Sequence, residues 1–290
     1  MIRYAKPTTV NEALGLLSEG PWRLLAGGTD FYPGLGNRPL RENILDINGL
    51  GDLRGISETA THLVIGARTT WSDIVGHSLP PAFEALKEAA REVGSIQIQN
   101  TGTVAGNLCN ASPAADGVPV LMILDAEVEL LSLDGARHLA LPEFILGNRR
   151  IALRPGEMVT AIRVPKGSAA GSSSFFKLGA RRYLVISIAM AAARLSVKDG
   201  VVEDAAISVG ACSAVARRLP ALETVLLGKP ASNGLGSLVE EVHLAGLQPI
   251  DDVRGSAEYR RLAAREIVGR AVDAALSKAL PNGRLASVAA

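Results

Sequence analysis

Apolar residues first recur at helical spacing at Val10, Ala13, Leu14 and Leu17. They follow Thr9-Val10-Asn11-Glu12, which has the form of a capping box: a threonine and a glutamate three residues apart, each serving the other's backbone amide. The spacing predicts a helix that Gly20-Pro21 stops. The run at 22–26 reads as a short buried strand leading into Gly27-Gly28, and 43–47 reads as another. Strand–helix–strand traffic of this kind marks an α/β unit. A further strand is expected at 62–67 and a short helix at 70–75. Pro80-Pro81 opens a longer helix whose stripe is Phe83, Leu86, Ala90 and Val93, with Gly94 placed to close it.

From 95 to 113 the residues are small and polar, and the pattern predicts a loop. A buried helix is expected at 118–124. Glu127-Val128-Glu129-Leu130 alternates as a strand, and another runs from 158 to 164 before Pro165. The Gly/Ser/Ala-rich segment 166–174 predicts a domain boundary or a flexible connection. Beyond it the pattern is α+β. A long apolar run at 183–197 meets Lys198-Asp199-Gly200, a hairpin turn signal into 201–209. The last strong helix begins near Ser256, with Tyr259, Leu262, Ala263, Ile267 and Ala271 as its expected buried face.

Composition narrows the chemistry. Of 290 residues 48% are hydrophobic, enough for a core without staples, and the net charge of +1 shows no basic stripe for nucleic acid. Cys109 and Cys212 are too few for an iron–sulfur or cysteine-rich zinc site, and reduced thiols fit a cytoplasmic protein. Neither a signal peptide nor a membrane span is expected. His62, His77, His138 and His243 form no ligand pair, and neither a P-loop nor a nucleophile elbow occurs.

Two glycine-containing loops stand out. Ala26-Gly27-Gly28-Thr29-Asp30 follows a strand; glycines there allow positive φ and close backbone approach, and successive amides can cradle phosphate oxygens. Thr101-Gly102-Thr103-Val104-Ala105-Gly106-Asn107 combines hydroxyls, glycines and an amide with little bulk. Each can equally be an ordinary turn or Ω-type loop, although two together favour a shared anion. Asp116 can accept hydrogen bonds from a sugar diol or cap the helix at 118; spacing alone favours the cap. Lys177 reads as a solvated strand-edge lysine, Arg181-Arg182 as an exposed basic pair and Cys109 as a packing residue. Phosphate-type loops without an acid–base or metal constellation suit redox chemistry carried by a cofactor.

Five segments in order carry a resemblance over nearly the whole chain: residues 24–30 (LLAGGTD), 65–70 (IGARTT), 102–116 (GTVAGNLCNASPAAD), 155–157 with Val164-Pro165, and 176–182 (FKLGARR). They resemble the FAD-binding, or medium, subunit of the molybdenum hydroxylases, the xanthine dehydrogenase and carbon monoxide dehydrogenase family. The resemblance implies an α+β chain: two α/β FAD-binding subdomains of the PCMH/VAO type at 1–55 and 56–168, then a C-terminal α+β domain with an antiparallel sheet at 172–290. It implies that Leu25, Ala26, Gly27, Gly28, Thr29, Asp30, Phe31 and Tyr32 wrap the FAD pyrophosphate. Thr103, Val104, Ala105, Gly106 and Asn107 would bind the same group, and Asp116 would hold an FAD hydroxyl. Val93 and Val159 would line the walls, Lys177 would approach from the C-terminal domain, and Tyr183 would contact the flavin. No catalytic side chain and no metal ligand are implied.

It further implies two partners, a molybdenum-cofactor large subunit and a small subunit with [2Fe–2S] clusters, assembled as a dimer of heterotrimers. One departure matters: relatives usually carry Gly-Gly where this chain has Ala105-Gly106, so the backbone there should keep to ordinary regions. The alternatives are a stand-alone FAD-dependent oxidoreductase and a non-enzymatic nucleotide-binding module, the latter without flavin absorbance.

Overall fold

The first helix forms where its cap places it. In this computed structural model, which describes residues 1–280, helix Val10–Ser18 opens on a capping box between Thr9 and Glu12. It buries Ala13, Leu14 and Leu17 against a three-stranded parallel sheet ordered Tyr4–Ala5, Ile44–Asp46, Arg23–Leu25. Asp46 pins that sheet from inside. It accepts from the Tyr4 hydroxyl at 2.6 Å and from Asn48, whose side-chain amide also donates to the Ala26 carbonyl at 2.8 Å.

The second sheet is antiparallel throughout. Its order is Ile56–Glu58, His62–Gly66, Met158–Pro165, Glu127–Ser132, Gly135–Ala140. The strand formed latest in the chain therefore sits in the middle. Met158 packs in the first hydrophobic core, while Val159, Ile162 and Val164 belong to the second, with Trp71, Phe83 and Leu121. Helix Glu84–Glu92 buries Ala85, Leu86, Ala89 and Ala90, and ends before Gly94, whose φ of +53° is the conformation expected of that glycine.

The small polar segment expected as a loop is largely helical. Ser95 caps Ile96–Thr101 by accepting from the Ile98 amide, and Thr103 caps Val104–Asn110 by accepting from Gly106. Two short helices, each with its own cap, defeat a periodicity search because neither is long enough to show a stripe.

The Gly/Ser/Ala-rich segment is held in place. Ser172, Ser173 and Ser174 are buried and open strand Ser172–Leu178, and the Ser173 hydroxyl donates to the Ala82 carbonyl at 2.7 Å. That strand begins a four-stranded antiparallel sheet with Ala189–Lys198, Val201–Gly210 and Arg217–Arg218. The apolar run expected from 183 becomes strand only at Ala189. Tyr183, Leu184 and Ile186 are exposed on the preceding connection.

Helix Ala257–Ala279 covers this sheet, with its face turned from the expected one. Tyr259 and Leu262 are exposed; the buried stripe is Arg260, Ala264, Ile267, Val268, Ala271, Val272, Ala275 and Leu276. Ala264, Ala271 and Ala275 of the helix share one buried cluster with Ala189, Ala191 and Ala193 of the strand and with Ile267, Val268, Val272 and Leu276, so small side chains make up much of the interface. Arg260 satisfies the stripe's one charge, donating to the Ile188 carbonyl and to Asp252 at 2.6 Å each. Such a close interface has no room to grow. Ala271→Leu is expected to cost about 1–3 kcal/mol through overpacking, read as a fall of several degrees in Tm; an unchanged Tm would mean that the interface accommodates the larger side chain. The last ten residues of the expected C-terminal domain, 281–290, lie outside the described residues.

Candidate functional site

The two glycine loops meet at one cleft of about 520 Å³. The first loop reaches it because strand Arg23–Leu25 ends there. The second is brought to it by the 65–70 segment, whose residues do structural work. Gly66 lies so close to the Leu53 backbone that a Cβ would be 2.7 Å from the Leu53 carbonyl carbon. Thr69 exchanges hydrogen bonds with Gly55, and Thr70 forms a capping box with Asp73. The second loop then pairs across this segment, with Val104 donating to the Thr69 carbonyl at 3.0 Å and Trp71 to the Gly102 carbonyl at 3.2 Å.

The loops touch through Gly27. A Cβ on that residue would run into the Thr101 carbonyl, 2.6 Å from its carbon and 2.9 Å from the Gly102 Cα. Gly28 has φ +73° and lies under the Tyr32 ring. Among the described residues, the amides of Gly27, Gly28, Thr29, Asp30 and Ala105 donate to no other atom of the chain. Backbone amides without a partner beside a cleft call for an acceptor supplied from outside, water or a ligand. Ala105 keeps a negative φ inside helix Val104–Asn110, as its side chain requires. The glycine that matters is Gly106: a Cβ there would lie 2.7 Å from the capping Thr103 hydroxyl.

Of the residues singled out in the sequence, Ala26, Gly27, Gly28, Thr29, Asp30, Phe31, Val93, Thr103, Ala105, Gly106, Asn107 and Val159 line this cleft together. Leu25 and Val104 are buried behind it. Tyr32 and Tyr183 are exposed, with Tyr183 under the Arg182 guanidinium. Gly102 of the second loop lines it too; lining residues that sequence reasoning passed over include Arg23, Trp71, Ile98, Ile151 and Leu153. Trp71 adjoins a motif and could have been found there. Ile151 and Leu153 arrive on a distant hairpin, Ile145–Gly147 with Arg150–Ile151, with nothing local to announce them.

Asp116 and Lys177 lie outside the cleft lining and against both local expectations. Asp116 stands before helix Gly117–Met122 but makes no cap. Instead it takes the Lys177 ammonium at 3.0 Å and the Ser187 hydroxyl at 3.3 Å. Lys177 is buried and also donates to the Glu92 carbonyl at 3.3 Å. Burial pushes the Asp116 carboxyl up to about 6, against the opposing pull of Lys177. The pair is tied to the cleft wall through Gly117, whose amide donates to Asn107 Oδ1 at 3.2 Å. Arg181-Arg182 is an exposed pair as expected, though Arg182 lies 3.4 Å from Glu92.

Cys109 lines the cleft, and burial pushes its thiol up to about 12, leaving it protonated and unreactive at neutral pH. Cys109→Ala is expected to leave cofactor content within about two-fold of wild type, because a packing thiol contributes little beyond volume; loss of the cofactor would assign Cys109 a bonding role. Among the described residues no group of acidic, histidine or cysteine side chains could hold a metal ion. Nor, among the described residues, is any helix long and apolar enough to cross a membrane.

Comparison with known proteins fits this geometry. Residues 1–167 match the family model described as the FAD binding domain in molybdopterin dehydrogenase, and 174–275 match the CO dehydrogenase flavoprotein C-terminal domain. The chain is 32% identical to the carbon monoxide dehydrogenase medium chain of Afipia carboxidovorans, over 95% of this chain and 97% of that one. It is also 32% identical to the 6-hydroxypseudooxynicotine dehydrogenase complex subunit alpha of Paenarthrobacter nicotinovorans, over 96% of each. A chain in a crystal structure of a cyanide-inactivated Cu,Mo-CO dehydrogenase superposes with a TM-score of 0.88 at 30% identity, covering 96% of this chain and 98% of that one. FAD is thus the cofactor of the chain, and the chain belongs to the family of FAD-binding medium subunits of the molybdenum hydroxylases.

Proposed function

We propose that the chain is the electron-transfer flavoprotein subunit of a molybdenum hydroxylase, accepting electrons from [2Fe–2S] clusters of a small subunit and passing them to an external acceptor. The observation that carries this reading is the meeting of the two glycine loops at one cleft lined by unbonded amides. FAD, when bound, supplies the redox chemistry; the chain's part is to hold and shield it.

In this reading the amides of 27–30 and 105, with Thr103, Gly106 and Asn107, bind the pyrophosphate, while Leu25 and Val104 support the loops from behind. Val93 and Val159 exclude water from the walls. Asp116 takes a cofactor hydroxyl, Lys177 keeps that carboxylate charged, and Tyr183 contacts the flavin. The chain divides for this purpose at about 55 and 170. The partners are a molybdenum-cofactor large subunit and the [2Fe–2S] small subunit, in a dimer of heterotrimers in the cytoplasm. Names of the relatives support a multi-subunit setting, among them "medium chain" and "complex subunit alpha".

The test is a visible spectrum with acid release of the cofactor, on the chain alone and on the material that co-purifies with it. Flavin in the chain, and flavin plus iron–sulfur absorption in a three-subunit complex, is the expected result. A single chain with full turnover and no partners would favour the stand-alone oxidoreductase, and a chain without FAD even after reconstitution would overturn both.

A further inference from the structure

We propose that Arg23 is the cation that binds the FAD pyrophosphate. This deepens the reading above and rests on it. Among the described residues lining the cleft, Arg23 is the only cation and Asp30 the only carboxylate. A pyrophosphate diester is doubly anionic at neutral pH. Amides alone supply dipoles, and Asp30 stands within the same loop as a like charge, so a full positive charge near the first loop strengthens binding of the group.

Arg23 is placed for this by the fold. It begins the strand that ends at the glycine loop, and its own amide is fixed by the Asn43 carbonyl at 2.8 Å. Its guanidinium lies 4.6 Å over the ring of Phe31, the first residue of helix Phe31–Leu35 at the far end of the loop. The loop is thus bracketed by a cation held at one end and stacked on an aromatic at the other.

Of the five donors on the guanidinium, one is used, Nη1 to Glu42 at 2.9 Å. That ion pair is open to solvent, the two side chains being 38% and 56% exposed, and a pair this exposed contributes little. Phosphate oxygens in the cleft can therefore draw on the remaining Nε and Nη2 donors without first breaking a strong contact. Fork geometry suits two oxygens of a phosphate, which a lysine at the same place could not engage together.

The test is FAD affinity of the apo full-length chain across a salt series, by flavin fluorescence, with thermal melts in parallel. Arg23→Gln should weaken FAD roughly ten-fold or more and flatten the rise of Kd with salt, since the lost contact is the screened one. Arg23→Lys should keep most of the salt dependence with intermediate affinity. Glu42→Gln, which releases the guanidinium, should bind FAD at least as tightly as wild type. The proposal is overturned if Arg23→Gln matches wild type in Kd and salt slope, if Arg23→Lys is as weak as the glutamine variant, or if Glu42→Gln loses affinity. A wild-type chain that takes up no FAD would bring down the cofactor reading itself, a result distinguishable from all three.

Discussion

Gly27→Ala is expected to strip the chain of FAD. The added methyl would enter the Thr101 carbonyl and press on the Gly102 Cα, both backbone atoms that cannot rotate aside. One loop must retreat, and the gap between them is the proposed phosphate cradle. A displacement of this kind costs on the order of 3 kcal/mol, or about 100-fold in Kd. Gly28→Val should fail as badly for a second reason, since φ of +73° is strained for any side chain. Gly34→Ala is the control: it has no atom near its missing Cβ and sits in a helix with ordinary φ. Acid-released flavin per chain and Kd by fluorescence quenching decide the matter. Full FAD content in Gly27→Ala would show that the two loops do not share the ligand.

Lys177→Met should lower Tm at neutral pH by about 10 °C. Removing one partner of a buried pair leaves an uncompensated charge, worth about 3–5 kcal/mol, and each kcal/mol moves Tm by about 2–4 °C in a chain of this size. The pH dependence gives the sharper check. Burial already holds the Asp116 carboxyl above its ordinary value, up to about 6. Its contribution to stability is therefore fully present below pH 4 and is lost as pH rises through 6. Without Lys177 the carboxyl climbs further, so the loss continues to higher pH. The deficit of Lys177→Met should accordingly be small near pH 5 and grow steadily toward pH 8. A constant deficit across that range would show that Lys177 contributes packing alone. Adding Asp116→Asn should recover part of the lost stability, since it removes the stranded charge.

The difference between these residues also explains what could be read from the chain in advance. Gly28, with its positive φ beneath Tyr32, and the capping pair Thr9 and Glu12 act within a few residues, so their geometry is written locally, whereas the constraint on Gly27 comes from Thr101 and Gly102 on the other loop. Asp116 and Lys177 are 61 residues apart. Taken singly, one looks like a cap and the other like a solvated lysine, and only the packing of the four-stranded sheet against helix Gly117–Met122 makes them a pair. The resemblance placed both near the cofactor without indicating that they bind each other. Helices Ile96–Thr101 and Val104–Asn110 were obscured by their shortness, and their caps, Ser95 and Thr103, come to light only in the structure. The final helix misled in the opposite way. Tyr259 and Leu262 are large and apolar yet lie outside, because the sheet is met by a stripe one step round the helix, where Ala264, Ile267, Val268, Ala271, Val272, Ala275 and Leu276 are buried.

Strand Met158–Pro165 gives the molecule an order of assembly. It enters the centre of a sheet whose other members end by residue 140, and it supplies Met158 to one core, Val159 to the cleft and Ile162 to a second core. During synthesis, which proceeds at roughly 5–20 residues per second, more than half the chain must leave the ribosome before the cleft has all its walls. Both glycine loops are made long before that moment and wait for it. The cleft is therefore completed late on the growing chain, by a single strand.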